Sequence, residues 1–360
     1  MVKMPLRSRI RRLFTTRKDR PRLDKGKARA MDPPPLPDHS PDTSDDDDGD
    51  SADEPAIPVL HLSELHRAPA TLARSSAFYL VGHSLPPPPL HQAKQILTSS
   101  PEVKKTLVHP RGSTVRGYSS AKSSGREWWD YTPEQNGTLL TLPDEDFQET
   151  TRAYFTAGIA LLQRVCATFN SAGSSSTAAG TVPEEVINDV GFSTMRYLRY
   201  SPSLLPTHAP ATGGDTADPS GIPRMEAHTD HGVLTLMTAT EPSGLYIWDR
   251  GGRIFSAPPL PNAVLIIAGD LMAHFTSLPG RNILDDGALA VGRDTVLPTV
   301  HAVVIPQVER YSVAVFLRPP REMVVSSGRD GDVTFRRWAD EKGRIRGRRC
   351  WMVGQERTVA

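Results

Sequence analysis

Apolar residues recur along this chain in two rhythms. Between about 144 and 169 they come at three- and four-residue spacing (Tyr154, Ala157, Leu161, Leu162, Val165 and Phe169, with Phe147 two turns before Tyr154), which predicts one long amphipathic helix supporting the core from outside. A shorter helix is predicted over 89–98, and another over 334–342. The apolar runs at 57–62 and 77–81, the second closed by Gly82, predict strands. From 195 onwards the rhythm shortens to strand-sized runs at 195–200, 233–237, 245–248, 263–268, 302–305 and 312–317, separated by Gly, Pro and Asp.

Many short strands without intervening helices predict a mainly β protein with flanking helices, built on a sandwich or jelly-roll. Two Gly-, Asp- and Pro-rich stretches, 203–222 and 278–298, read as long loops inserted between strands. The organisation expected is a charged tail over 1–55, an N-terminal α/β part over 56–190, a jelly-roll catalytic core over 191–323, and a C-terminal helix with a basic tail over 324–360.

Charge changes this picture only at the N-terminus. The formal net charge of +1 hides twelve Lys and Arg against Asp19 and Asp24 in residues 1–30, then ten acids with no Lys or Arg in residues 31–55. Such a segment has little apolar surface with which to offset its ordering entropy, so it is expected to be disordered. The remainder is close to neutral, so no nucleic-acid partner is expected. The Arg344, Arg346, Arg348 and Arg349 run reads as a solvated face. Two cysteines, Cys166 and Cys350, offer no disulfide framework, and no run approaches the roughly 18 apolar residues of a membrane span. A cytoplasmic location is expected, with a nuclear or mitochondrial address through the basic start as the alternatives. Oligomeric state leaves no mark on the sequence.

The residues that carry chemistry lie among the strands. His228-Thr229-Asp230 stands where a strand pattern begins, and positions i and i+2 of a strand project to one face, so an imidazole nitrogen and a carboxylate oxygen converge. One more imidazole completes the two-His, one-carboxylate set that holds Fe(II) and leaves positions open for substrate and O₂. His301, at the head of an apolar run, is the expected donor. His274 is the competitor, but it follows closely on Gly269-Asp270, which reads as a turn between strands, and it has no Arg-X-Ser behind it. His231 is expected to face away from the metal.

Arg310-Tyr311-Ser312 follows nine residues after His301. On an extended strand Arg310, Ser312, Ala314 and Phe316 share one face, and Tyr311, Val313, Val315 and Leu317 the other. An Arg pointing into a barrel needs an anionic partner, and a guanidinium fork beside a hydroxyl matches a carboxylate. A carboxylate-bearing guest is therefore expected, to which Tyr200 could add a phenolic hydrogen bond. Arg196 reads as a structural ion pair more readily than as a substrate ligand.

The ordered array resembles the isopenicillin-N-synthase-like branch of the 2-oxoglutarate- and iron(II)-dependent dioxygenases. It comprises Ile57-Pro58-Val59, Phe78 to His83, Arg116-Gly117-Tyr118, Met195-Arg196 to Tyr200, His228-Thr229-Asp230-His231-Gly232 with Leu234-Thr235-Leu236, Gly244-Leu245, Gly269-Asp270, His301, and Arg310 to Phe316. The resemblance implies a double-stranded β-helix core and iron at His228, Asp230 and His301. It implies the distal carboxylate of 2-oxoglutarate at Arg310 and Ser312 with help from Tyr200, O₂ as the second cosubstrate, and a substrate mouth near Arg116 and Tyr118. The implied activity is hydroxylation, desaturation or ring closure of a small-molecule metabolite, with succinate and CO₂ as coproducts. Two alternatives stand beside it: an oxidase like isopenicillin N synthase itself, in which Arg-X-Ser holds a substrate carboxylate, and an interaction protein with a vestigial pocket. The chain departs from the plant members at Leu198-Arg199, where they usually show Asn-Tyr, and in a longer interval between Asp230 and His301, with the extra length in 278–298.

Overall fold

The computed structural model of the chain describes residues 57–108, 117–121, 125–133, 145–172, 181–202, 227–240, 243–277, 295–304, 308–328 and 331–346. The tail expected over 1–55, the loop over 203–222, most of that over 278–298, Arg116, Arg348 and Arg349 lie outside the described residues. No helix among the described residues is long and apolar enough to cross a membrane.

The chain enters on β1 (Val59–His61) and passes through a 3-10 turn (Leu62–Arg67) into α1 (Ala68–Ser75). Ser76, in the left-handed region at φ 60°, stops that helix and turns the chain into β2 (Ala77–Val81). Then come α2 (Leu90–Leu97), α3 (Pro101–Thr106), β3 (Gly117–Ala121), β4 (Arg126–Tyr131), the long α4 (Glu145–Ala172), α5 (Glu184–Asn188) and β5 (Thr194–Tyr200). The second half runs through β6 (Leu234–Ala239), β7 (Leu245–Trp248), β8 (Ile254–Ser256), β9 (Ala263–Ala268), α6 (Asp270–Phe275), β10 (His301–Val303) and β11 (Arg310–Leu317). A hairpin of β12 (Val324–Gly328) and β13 (Gly331–Thr334) leads into α7 (Phe335–Arg346).

Eight strands form one sheet in the order β1-β2-β9-β6-β11-β5-β4-β3, and β10-β7-β8 form a second of three. The N-terminal part does not build its own sheet, because β1 and β2 extend one edge of the large sheet and β3 and β4 the other.

The two faces of the large sheet are sorted by the period of two. On one face Phe78, Val264, Leu236, Val313, Val315 and Tyr197 join Phe155, Ile159, Leu162 and Val165 of α4 in the main hydrophobic core. Gly158 lets α4 lie close there, since a Cβ at 158 would stand 3.2 Å from a methyl of Val315. On the other face Tyr79, Leu265, Ile267, Ala314, Phe316 and Leu198 meet Leu245, Ile247 and Val303 of the small sheet in a second apolar cluster. The two sheets thus face one another across an interior, the jelly-roll arrangement, and every residue of the central strand β11 is buried.

Several expectations change. The 228–230 segment belongs to no strand: it makes one isolated bridge to His301, and the ladder begins only at Leu234. The turn expected at Gly269-Asp270 is the junction between β9 and α6, a helix of 6 residues, too short to announce a helical period. β3 and β8 lack apolar runs, and in β4 the adjacent Trp128 and Trp129 mask the alternation by placing one ring on each face.

Trp129 is fully buried and lies 5.4 Å from Tyr197, stacked at 13°, with Phe147 edge-on at 5.9 Å. Truncation of such a ring leaves a cavity, so Trp129→Ala should lower the unfolding free energy by about 3–5 kcal/mol. Urea denaturation checks this, and a loss below about 1 kcal/mol would contradict the packing described.

Candidate metal centre and its surroundings

His228 and His301 exchange backbone hydrogen bonds in both directions, each 2.9 Å long. That pair attaches the 227–230 segment to the small sheet. On the other side the segment is gripped by the β9–α6 corner, where Asp270 N–H donates to Asp230 O (2.8 Å), Leu271 N–H to Gly232 O (3.1 Å) and Gly269 N–H to Val233 O (2.9 Å). The corner leaves no room for a side chain at 269, where a Cβ would stand 2.1 Å from Gly232 O and 3.0 Å from Asp230 O.

Held between these two grips, His228, Asp230 and His301 bring one ligand atom each to within 4.8 Å of one another. His228 Nε2 is 4.0 Å from Asp230 Oδ1, and the two imidazole centroids are 4.3 Å apart. Each of the other two side chains is oriented from behind. His301 Nδ1–H donates to the Thr299 carbonyl (3.0 Å), which leaves Nε2 as the ligand atom. The Thr235 hydroxyl donates to Asp230 Oδ2 (2.7 Å), which leaves Oδ1 toward His228. Thr235 and Thr299 are themselves buried, and Thr299 is locked by donating to Ser76 O (2.6 Å) while accepting from Ala268 N–H (2.9 Å). Two neutral nitrogens and one carboxylate oxygen with fixed rear partners suit a divalent first-row metal such as Fe(II).

Neither neighbouring histidine joins this group. His274 donates from Nε2 to Val325 O (2.7 Å), tying α6 to the C-terminal hairpin, and burial pushes its pKa down. His231 sets its ring edge-on against Trp338 of α7 at 5.9 Å.

Along the interior from this cluster, β11 turns Arg310, Ser312, Ala314 and Phe316 inward, as the alternation predicts. Arg310 and Ser312 are each 1 % exposed, the guanidinium lies 3.4 Å from Ser312 Oγ through Nη1, and it sits 5.5 Å from the centroid of the Tyr200 ring. Tyr200, the register partner of Arg310, therefore supports it with its ring face, while its hydroxyl hydrogen-bonds Arg126. A cavity of about 360 Å³ opens at this end, lined by Arg310 with Tyr79, Met237, Ala239, Leu245 and Leu265 among others, and touches none of the three candidate metal ligands.

Arg196 faces the same interior and is bound through Nε and Nη2 to both oxygens of the buried Asp130, at 2.7 and 2.8 Å. Burial opposes its charge, but Asp130 and then Asp230 outweigh that cost and raise its pKa. Tyr118, expected at the substrate mouth, instead packs against the helix-side core and donates to Glu127 (2.6 Å), so the structure does not bring it to the site. The Leu198-Arg199 departure resolves by face: Leu198 points into the interior, and Arg199 binds Glu127 (2.7 Å) and Glu309 on the opposite face. No motif in the sequence marks Thr235, Thr299 or Asp130. A polar side chain on the inward register of an apolar strand was the available signal for Thr235, and an acid within the aromatic run 128–131 for Asp130.

Comparison with known proteins agrees with this geometry. Residues 193–319 match the model of the 2OG-Fe(II) oxygenase superfamily. The chain is 28% identical over 211 residues to the 2-oxoglutarate-dependent dioxygenase frbA of Dothideomycetidae sp. (strain 11243), a match covering 56% of this chain and 56% of that protein. The chain thus spans about half the length of the curated relative it matches. Among solved structures, a full-length Neurospora crassa protein in complex with alpha-KG superposes with a TM-score of 0.57 at 18% identity, covering 79% of this chain and 95% of that one. The rice dioxygenase for auxin oxidation superposes at 0.55 and 19%, covering 81% and 95%. These likenesses establish a shared fold.

Two outcomes are expected of the metal centre. Thr235→Val keeps the shape but removes the hydroxyl that donates to Asp230 Oδ2, so the dissociation constant for Co(II) or Fe(II), read by anaerobic equilibrium dialysis, should rise roughly 10- to 100-fold, with Thr235→Ser restoring it. His301→Ala should abolish metal retention while His274→Ala keeps it and costs stability. The reverse pattern would move the ligand assignment to His274.

Proposed function

We propose that the chain is an Fe(II)- and 2-oxoglutarate-dependent dioxygenase acting on a small molecule, a reading supported by the match of residues 193–319 to the 2OG-Fe(II) oxygenase superfamily model. The observation that carries this reading is the joint placement, inside one jelly-roll, of the His228, Asp230 and His301 cluster and the fully buried Arg310 with Ser312. Iron(II) and 2-oxoglutarate, when bound, supply oxygen activation coupled to release of succinate and CO₂.

The residues divide the work. His228, Asp230 and His301 would hold a divalent metal such as Fe(II) through one ligand atom each. Thr299 fixes the ring nitrogen that His301 presents, and Thr235 fixes the oxygen that Asp230 presents. Arg310, whose fork of donors matches a carboxylate, would bind the distal carboxylate of 2-oxoglutarate, Ser312 Oγ beside it would add a hydrogen bond, and the Tyr200 ring packs against the guanidinium. Ile247, Ile267 and Phe316 give the interior an apolar lining that keeps bulk water away.

The test is anaerobic titration of the Fe(II) protein with 2-oxoglutarate, followed by a succinate assay in air. Arg310→Leu should raise the 2-oxoglutarate dissociation constant by roughly two to three orders of magnitude, with metal still bound, because it removes one partner of a buried ion pair. Ser312→Ala removes only one hydrogen bond to a charged group and should be milder. A wild-type protein that binds iron and consumes O₂ with a substrate, yet neither binds 2-oxoglutarate nor forms succinate, would instead be an oxidase that holds a substrate carboxylate at Arg310.

A further inference from the structure

The cavity at the Arg310 end of the interior is not a recess of one face of the sheet. β6 and β9 are paired only from Leu234 with Ala268 to Met237 with Leu265. Beyond that point each strand keeps another partner: β6 runs on to Ala239 against β11, and β9 begins at Ala263 against β2. Thr238 and Ala239 therefore lie across from Val264 and Ala263 with no ladder between them, and all four line the cavity. Its walls come from both apolar clusters, Tyr154 and Val264 from the helix-side core, and Tyr79, Leu245 and Leu265 from the interior. A gap in the large sheet thus leads from the helix side to Arg310.

Charge and shape together define what fits this gap. Arg310 is the one charged side chain among the lining residues, and no carboxylate among them opposes an anion. His83 also lines the cavity, and burial pushes its pKa down, which keeps that ring neutral. The Tyr79 hydroxyl is already spent on the Pro258 carbonyl, at 2.5 Å. A guanidinium without a competing acid selects a carboxylate.

The rest of the gap is aliphatic. Met237, Leu260, Leu265 and Leu85 line it with two proline runs, 86–88 and 258–259, whose fixed φ leaves the rim little freedom to close. On the interior side, where the two strands part, the facing positions Ala239 and Ala263 carry only methyl groups. Such walls suit a slender alkyl chain. None of the three candidate metal ligands lines the cavity, so a guest entering here meets Arg310 without passing the metal.

We infer that this gap is a binding site for an unbranched aliphatic monocarboxylate, with its carboxylate on Arg310 and its chain lying between β6 and β9 toward the prolines. Because Arg310 serves both, this ligand and 2-oxoglutarate exclude one another. The exclusion rests on the dioxygenase reading, whereas the binding itself does not.

Calorimetry on the full-length Fe(II)-loaded protein under nitrogen tests this, with butyrate, hexanoate and octanoate as probes and 1-octanol as the chain without the charge. Each methylene placed in the gap should tighten binding about three- to fourfold, so octanoate should bind on the order of 100-fold more tightly than butyrate. Both 1-octanol with the wild type and octanoate with Arg310→Leu should bind at least about tenfold more weakly than octanoate with the wild type. Octanoate should bind equally well after the iron is chelated, which separates a carboxylate on Arg310 from one on the metal. Ala263→Leu narrows the gap on a strand that does not pair with β11. It should weaken octanoate about tenfold and change the 2-oxoglutarate dissociation constant less than about twofold. Should that variant fail to fold, Leu260→Glu, at a position already 37% exposed, sets a charge against the chain and should weaken octanoate about fivefold, again sparing 2-oxoglutarate. Affinity independent of chain length, loss of octanoate binding on chelation, its retention in Arg310→Leu, or unchanged affinity in the gap variants would each overturn the inference. So would simultaneous binding of octanoate and 2-oxoglutarate to the Fe(II) protein. Failure of 2-oxoglutarate to bind while octanoate behaves as described would overturn the dioxygenase reading alone.

Discussion

The reciprocal backbone pair between His228 and His301 fixes a segment that has no strand of its own, and the rest of the site depends on it. An extended segment bonded on one side only would leave its ligands free to drift by more than a coordination bond tolerates. Here the pair sets the separation of the two imidazoles, and the β9–α6 corner grips Asp230 and Gly232 from the opposite side. The absence of a side chain at Gly269 is what lets that corner close to backbone contact. Ligand geometry is therefore set by main-chain hydrogen bonds between two sheets and a helix start, and the side-chain partners Thr235 and Thr299 only refine it.

The interior also carries charges that a stability argument alone does not explain. Burying an ion pair such as Arg196 with Asp130 costs desolvation of both groups, and hydrophobic residues of similar volume often do as well or better. Arg310 adds a further guanidinium at 1 % exposure on the same face. Such groups are expensive to keep in an apolar interior, and they make sense where each presents donors to a guest whose own desolvation they offset. The contrast with the other face of the same strands supports this. There Arg199, Glu127, Lys104 and Glu309 form a network in which each carboxylate meets a cation.

Much of this was legible in the sequence wherever periodicity was long or a motif rigid. The strand at 77–81 and the long helix fell where their apolar spacing put them, and the inward set Arg310, Ser312, Ala314 and Phe316 followed from the period of two. His301 was separable from His274 because only one of them leads into an Arg-X-Ser strand. What stayed hidden has physical reasons. The His228 segment reads as a strand because His-X-Asp has the right spacing, yet a single bridge replaces the ladder. Tyr118 was placed by analogy of position, and one register step, which sequence cannot fix without its partner strand, puts a side chain on the wrong face of the sheet. Trp128 and Trp129 look alike in the sequence, and only the pairing of β4 with β5 assigns one to the helix-side core and the other to the interior face.

That last pair shows how the sheet separates folding from recognition. In β4, β5 and β11 the residues Trp129, Tyr197 and Val315 join the helix-side core, while Trp128, Arg196 and Phe316, each one position away, line the interior. The helix side is packed against α4 and tolerates little change of volume. On the interior side the same strand β11 presents Arg310, which lines the cavity of about 360 Å³. Because the faces alternate residue by residue, the backbone positions that anchor the core also set, to within one peptide unit, where the interior donors stand. The stiffness of the helix-side core is thus transmitted directly to the inward residues of the same strands, Arg310 and Ser312 among them, and a site built in this way can hold its geometry without a rigid loop to support it.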